Sequence, residues 1–213
     1  MKNKKAILWD NDGVLVDTEK YFYKAAKEVL KKVDFDFTRE MYIEWTLIKA
    51  IGPWHILEER HFDKETIEKL KKERDNLYKH YLMTEDILIH DVRDIVRELA
   101  EKYKMAIVTS SKPEHFRAIH KRTDLLHFFD FAITCEDYTH FKPHPEPYLT
   151  ALQKIGCAKE DCIVIEDTRR GLLSARAAEL DCIIITNELT RTSDFKEAGI
   201  VLDNITALRD ILL

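Results

Sequence analysis

Two carboxylates follow an apolar run near the start of the chain. Residues 6–9 are apolar, Asp10 and Asp12 come directly after them, and Gly13 is next. In a parallel α/β sheet, ligands bind at the carboxyl ends of the strands. A separation of two residues suits one carboxylate for nucleophilic attack and the other for proton transfer, with a cation between them and the substrate.

Three further apolar runs are followed by polar residues that could meet these acids. Thr109 and Ser110 follow one run, Lys142 lies in a loop after another, and Glu166 and Asp167 end the fourth. Parallel strands end at one edge of their sheet, so we expect these side chains to converge there. Together with the first two acids, they form the parts of a phosphoryl-transfer site.

Each of these residues has a chemical role that its type allows. Asp10 would be the nucleophile that forms an aspartyl-phosphate. Asp12 would protonate the leaving oxygen and then deprotonate the attacking water. The Thr109 hydroxyl and the Ser110 backbone N–H would hold phosphate oxygens, and Lys142 would neutralise the charge of the phosphate and the nucleophile.

The acids of the set also predict a metal ion. Asp10, Asp12, Glu166 and Asp167 would repel one another unless a cation were bound. Mg²⁺ is a hard cation that prefers one or two carboxylates together with phosphate and water oxygens. We therefore expect Mg²⁺ as the cofactor, with these four residues as the candidate ligands.

The remaining pattern describes the elements that must position these residues. Helical patterns alternate with most of the short apolar runs, which predicts a three-layer α/β fold with a parallel, Rossmann-like sheet. One of the helices begins at Pro113 and another ends at Gly156. The catalytic core should comprise residues 1–16 and 87–213. Its five predicted strands cover residues 6–10, 105–109, 131–134, 162–166 and 182–186.

The stretch between the first two strands breaks this alternation. Residues 17–86 show helical patterns and no convincing strand, which predicts a small helical cap domain inserted after the first strand. A cap at this point could cover the acidic site as a lid. Lys49, Trp54 and His55 lie in its aromatic middle stretch and are candidates for substrate contact, although such aromatic residues more often form a core.

Composition narrows the choice of partner. The chain has 213 residues, a net charge of −5 and no dense basic block, which disfavours nucleic acid or an anionic membrane as the main partner. No apolar stretch reaches the roughly 20 residues of a membrane span, and we expect a cytoplasmic protein that is a monomer or weak homodimer. The four cysteines are expected to be reduced and packed, with a zinc site at Cys157 and Cys162 as the alternative.

Four segments resemble, in order, the four motifs of the haloacid dehalogenase superfamily. They are residues 10–18, 109–111, 142–146 and 166–172. The closest similarity is to the helical-cap branch, which includes β-phosphoglucomutase-like and phosphoglycolate phosphatase-like enzymes. This resemblance implies the strand order 3-2-1-4-5 and a Mg²⁺-dependent phosphatase that acts on a small phosphate monoester.

The resemblance also implies roles for individual residues. Asp10 resembles the nucleophile and a metal ligand, and Asp12 resembles the acid/base, whose backbone carbonyl also binds the metal. Asp167 resembles the metal-binding acid of the fourth motif, with Glu166 acting directly or through water. Thr109, Ser110 and Lys142 resemble the residues that hold the phosphate.

Several positions depart from the family pattern. The mutases carry a cap His where this chain has Phe22, a cap Arg near Pro53 and an Asn at Pro113, so hydrolysis is favoured over the mutase alternative. Asn11 stands where an apolar or aromatic residue is usual, and Glu179 where a glycine is usual. The remaining alternative is a non-catalytic binding protein on the same scaffold, which the intact acids disfavour.

Overall fold

The computed structural model describes residues 3–213, and within this range six parallel strands form one sheet. The strand order is β3-β2-β1-β4-β5-β6, which confirms the predicted α/β fold with the first strand at the centre. The strands are β1 (Ala6–Trp9), β2 (Lys104–Val108), β3 (Phe131–Ile133), β4 (Cys162–Glu166), β5 (Asp181–Ile185) and β6 (Ile200–Leu202).

Strand β1 is buried on both faces. Ile7 pairs with Met105 of β2 on one side and with Ile163 of β4 on the other. Successive side chains of a strand point to opposite faces, so Ile7 belongs to one hydrophobic cluster and Leu8 to another. Both faces are covered, and β1 therefore reads as a continuous apolar run rather than an alternating one.

The sixth strand was missing from the sequence prediction. Strand β6 has three residues and, within residues 3–213, pairs only with β5 at the edge of the sheet. Ile200 and Leu202 are half-buried and Val201 is exposed, so this segment lacks the buried apolar run that marks the inner strands.

Contacts between residues divide the chain into two compact units. One comprises the chain up to Asp17 together with Ile87–Leu213, and the other is Thr18–Asp86. Residues 18–86 contain helices and no strand, and α1 packs against α4. The helices of this second unit are α1 (Glu19–Lys31), α2 (Arg39–Met41), α3 (His55–Glu59) and α4 (Lys64–Thr84), with a π-helical segment at Tyr42–Ile48.

Aromatic side chains form much of the interior of the second unit. The Phe22 ring meets the Tyr78 ring edge-on, with 5.1 Å between ring centroids. Trp45 stacks on Phe35 at 6.3 Å and on Phe37 at 6.1 Å. Aromatic rings bury a large apolar area, so this small unit obtains its core from few residues.

The chain passes from one unit to the other after Asp17 and returns at Ile87, and these two residues lie next to each other in the first unit. The Asp17 N–H donates to the Ile87 carbonyl at 2.8 Å, and Val16 forms an antiparallel bridge with Leu88. The segment that leaves β1 therefore pairs with the segment that leads into the next helix.

The helices of the first unit cover the two faces of the sheet. Residues of α5, α6 and α9 belong to the cluster around Ile7, whereas residues of α7 and α8 belong to the cluster around Leu8. No helix within residues 3–213 has both the length and the apolar composition to cross a bilayer. The bounds are α5 (Val92–Ala100), α6 (Pro113–Thr123), α7 (Glu146–Ile155), α8 (Arg169–Ala177) and α9 (Leu208–Leu212).

All four cysteines are free thiols. Cys162 and Cys182 are buried in β4 and β5, and burial raises the pKa of the Cys182 thiol well above its usual value. No cysteine of the described chain belongs to a cluster of potential metal ligands, so nothing in residues 3–213 favours the zinc alternative.

Helix α8 ends in a left-handed residue that is not glycine. Glu179 has φ of 59°, its N–H donates to the Arg176 carbonyl, and the Leu180 N–H donates to the Ala175 carbonyl. These two hydrogen bonds form a Schellman motif, in which the left-handed position usually holds glycine. Glu179 therefore adopts a strained backbone conformation where the sequence showed a departure from the family pattern.

Replacing this residue should stabilise the protein. Glu179→Gly should raise the free energy of unfolding by about 0.5–1 kcal/mol, because relief of a left-handed strain of about 1–2 kcal/mol exceeds the entropy cost of glycine. Urea unfolding measures the change. Glu179→Ala is the matched control, since it also removes the exposed ion pair with Lys159 but keeps the strain. Equal stability of the two variants would contradict the strain.

Candidate active site

A buried lysine lies between two carboxylates at the carboxyl edge of the sheet. The Lys142 Nζ donates to Asp10 Oδ1 at 2.6 Å, to Glu166 Oε1 at 2.7 Å and to the Val108 carbonyl at 3.0 Å. Burial alone would lower the pKa of Lys142, but the two carboxylates raise it above its usual value. The ammonium group thus stays charged, and all three of its N–H groups have acceptors.

The acids at this edge outnumber the buried cation. Asp10, Glu166 and Asp167 are buried, and each offers a carboxylate oxygen within 4.8 Å of the others. Burial and the charge of Glu166 raise the pKa of Asp10 to about 8, although Lys142 acts in the opposite direction. One ammonium cannot balance three carboxylates, so the donor set fits a bound divalent cation with oxygen ligands.

Glu166 joins this cluster to the start of helix α8. Its Oε1 accepts from Lys142 and from the Tyr148 hydroxyl at 2.9 Å. Its Oε2 accepts from the backbone N–H groups of Asp167 and Thr168 and from the Thr168 hydroxyl, at 3.0–3.1 Å. Burial would raise the pKa of Glu166, but Lys142 and these donors hold it below its usual value.

Two glycines make room for the acids. A Cβ at Gly171 would lie 1.7 Å from Glu166 Oε1, and a Cβ at Gly13, where φ is +90°, would lie 2.1 Å from Asp167 Oδ2. The same Asp167 oxygen accepts from the Asn187 side-chain amide at 2.7 Å. Any side chain at either glycine would displace a carboxylate of the cluster.

Asp12 is held by donors from three residues. Its Oδ2 accepts from the Thr109 hydroxyl at 3.0 Å, the Ser111 hydroxyl at 2.8 Å and the Asn11 amide at 3.2 Å. The hydroxyl of Thr109, for which the sequence predicted phosphate contact, therefore lies against the carboxylate of Asp12. These contacts give the Asp12 side chain a defined orientation at the end of β1.

Ser110 lies beside this group in the same loop. The Tyr138 hydroxyl donates to the Thr109 carbonyl at 3.0 Å, and its oxygen lies 3.4 Å from the Ser110 hydroxyl, from which it can accept. These contacts support the turn after β2, from which a backbone N–H could reach a phosphate oxygen.

The three residues of the predicted cap that are candidates for substrate contact belong to the second unit. Lys49 pairs with Glu44 at 2.7 Å, and the Arg74 guanidinium lies 5.4 Å from the Trp54 ring centre. The His55 Nδ1 lies 2.9 Å from the backbone carbonyl of the residue three positions before it. Each therefore has partners within its own unit, and a role in substrate recognition stays a prediction.

Sequence reasoning assigned no role to several residues that contact the site. Ser111 lies in the segment 109–111 and Asn187 follows β5 at the same edge of the sheet, so position after a strand could have identified both residues. Tyr148 is a buried residue of α7, and an apolar helical pattern would account for its ring but not for the hydrogen bond of its hydroxyl. His120 has no local pattern that marks it, yet it is 6% exposed and contacts Asn11.

Comparison with known proteins finds relatives and solved structures that are similar to this chain over most of its length. The chain is similar to a phosphorylated carbohydrates phosphatase of Thermotoga maritima (26% identity, covering 92% of each chain) and to a phosphoglycolate phosphatase of Colwellia psychrerythraea (26% identity, covering 93% of this chain and 92% of the relative). The crystal structure of CbbY from Rhodobacter sphaeroides in complex with phosphate shares the fold, with a TM-score of 0.80, 24% identity and 94% of each chain covered.

A family model described as haloacid dehalogenase-like hydrolase matches residues 7–185, which is well over half of the chain. This range includes all four of the motifs on which the resemblance was based. The chain is therefore an enzyme that belongs to the haloacid dehalogenase-like hydrolases.

Proposed function

We propose that this hydrolase is a Mg²⁺-dependent phosphatase that cleaves a small phosphate monoester through an aspartyl-phosphate on Asp10. The observation that carries the proposal is the buried Asp10 carboxylate, bound by Lys142 at 2.6 Å beside two further buried acids. The named activities of the relatives, on phosphorylated carbohydrates and phosphoglycolate, support a small phosphate ester as the substrate.

The first half of the reaction transfers the phosphoryl group. An Asp10 oxygen attacks phosphorus, the new Asp10–phosphorus bond forms, and the bond from phosphorus to the ester oxygen breaks. Asp12 donates its proton to the departing oxygen, which leaves as the alcohol. Lys142 keeps Asp10 in one orientation and offsets negative charge next to the phosphate.

The second half regenerates the enzyme. Asp12 is now ionised and takes a proton from water as that water attacks phosphorus. The bond between Asp10 and phosphorus breaks, inorganic phosphate is released, and Asp12 holds a proton for the next cycle. The hydrogen bonds from Thr109 and Ser111 keep Asp12 in place for both transfers.

The acidic cluster supports the metal requirement. Asp10, Asp167 and the backbone carbonyl of Asp12 would hold Mg²⁺, with Glu166 acting directly or through water. The ion would supply positive charge to carboxylates that burial otherwise makes harder to ionise, and to the phosphate. The excess of buried carboxylates over buried ammonium groups is the observation that supports this part of the proposal.

The alternative of a sugar-phosphate mutase is less well supported. Phe22, at the position where the mutases carry histidine, packs edge-on against Tyr78 and lies under the Arg74 guanidinium at 4.4 Å. This position therefore offers a packed ring and no imidazole. Release of free phosphate identifies hydrolysis, whereas a bisphosphate requirement and an isomeric product would identify the mutase.

Asp10→Asn should abolish turnover without loss of folding, because an amide cannot replace the carboxylate nucleophile. Phosphate release from sugar phosphates, phosphoglycolate, nucleotides and p-nitrophenyl phosphate measures the activity. Chelation by EDTA should also stop release, and added Mg²⁺ should restore it.

Asp181→Asn is the matched control for this substitution. Asp181 lies at the amino end of β5, where its exposed carboxylate pairs with Lys4, so the variant should retain activity. Turnover at the wild-type rate by Asp10→Asn would refute the proposed nucleophile.

Gly171→Ala should lower kcat about 100-fold, because its Cβ would displace Glu166 and misplace Lys142 by an ångström or more. Gly156→Ala is the control, since Gly156 has a positive φ of 67° but nothing within 4 Å of the added Cβ. The control should lose stability and keep kcat. Equal kcat for Gly171→Ala and the wild type would show that Glu166 does not set the position of Lys142.

A further inference from the structure

A line of buried polar side chains lies behind Asp12. Asn11 is fully buried between the two catalytic acids in sequence, and its Nδ2 lies 3.2 Å from Asp12 Oδ2. Its Oδ1 lies 2.9 Å from Nε2 of His120, a buried residue of α6. The His120 Nδ1 lies 2.9 Å from the Thr123 hydroxyl, one turn later in the same helix.

Hydrogen-bond chemistry sets the direction of each contact in this line. Asp12 Oδ2 also accepts from the Thr109 and Ser111 hydroxyls, so this oxygen is an acceptor and Asn11 must turn its NH₂ group toward it and its own oxygen toward His120. That oxygen also only accepts, so the His120 Nε2 must carry the proton. A neutral ring then accepts at Nδ1 from the Thr123 hydroxyl. Burial lowers the pKa of His120 to about 4, which agrees with a neutral ring at pH 7.

Burying the Asn11 amide and the His120 imidazole at this position has a free-energy cost. Burying polar groups is unfavourable unless they are hydrogen-bonded, and an apolar pair of similar size would avoid that requirement. His120 packs its ring against Phe116, with 4.4 Å between centroids, so the surroundings suit an apolar side chain. What the polar pair adds is one defined orientation of the Asn11 amide, and through it a donor aimed at Asp12.

We propose that Asn11 and His120 are positioning residues for Asp12: His120 orients the Asn11 amide, which holds the Asp12 carboxylate for proton transfer to the leaving oxygen. The inference rests on the proposed function, since it assigns Asp12 the role of general acid. It predicts that the pair matters most when the leaving group depends on that proton.

The choice of leaving group separates positioning from general damage to the fold. An alkyl phosphate releases a strongly basic alkoxide and needs protonation, whereas p-nitrophenolate is weakly basic and leaves without it. The parameter kcat/KM reports steps only up to departure of the leaving group. The measured quantity is therefore kcat/KM for the best alkyl phosphate of the substrate panel divided by kcat/KM for p-nitrophenyl phosphate.

The double variant Asn11→Leu/His120→Leu should lower this ratio about tenfold. Replacing both partners leaves neither of them with an unpaired buried group, which limits the loss of stability. His120→Gln should keep most of the ratio, because the Gln amide can donate to Asn11 from the position of Nε2. His115→Leu, which removes the other buried histidine of α6, should leave the ratio unchanged.

Asp12→Asn serves as the reference and separates the two ways to fail. If Asp12→Asn leaves the ratio unchanged, Asp12 is not the general acid, and this inference fails together with that assignment. A ratio that falls in Asp12→Asn but not in the double variant would overturn the inference alone. An equal loss of kcat/KM on both substrates in the double variant would show a merely structural role. If the double variant does not fold, His120→Leu compared with His120→Gln makes the same test.

Discussion

The buried ammonium of Lys142 is the contact on which the arrangement of the site depends. It bonds to Asp10 after β1, to the Val108 carbonyl of β2 and to Glu166 of β4. These strands are neighbours only because β1 lies at the centre of the sheet, between β2 and β4. One cation thus connects the carboxyl ends of three adjacent strands. A buried charge that loses its partner is strongly destabilising, so each member of this group constrains the others.

The acids of the site are held as much by backbone as by side chains. Glu166 accepts from two backbone N–H groups at the start of α8, and Asp167 lies against the backbone at Gly13. Gly171 lets the first turn of the helix approach Glu166 closely. Backbone is fixed by the sheet and helix, so these carboxylates have little freedom to move apart despite their mutual repulsion.

Much of the fold could be predicted because strands buried on both faces leave long apolar runs. The inner strands all carried that pattern. Within the described residues β3 and β6 are both edge strands with one pairing each, but β3 keeps a buried Ile133 whereas β6 has no buried residue, and only β6 was missed. The position of Asp10 and Glu166 followed from the rule that strand ends converge. The contact between Asn11 and His120 could not be predicted, since the two residues are 109 positions apart and neither has a local pattern that names its partner. The left-handed backbone of Glu179 had one signal in the sequence, which was the absence of the glycine that is usual at this position.

The chain leaves the first unit after Asp17 and returns to it at Ile87, and the closeness of these two residues affects how the inserted segment can change in evolution. The backbone hydrogen bond between them and the bridge from Val16 to Leu88 pair the outgoing and returning segments within the first unit, at the point where the other unit is inserted. A short turn could join these two neighbouring ends. Recombination could therefore exchange residues 18–86 for another folded segment with neighbouring termini, and the hydrogen bonding of the sheet would not change.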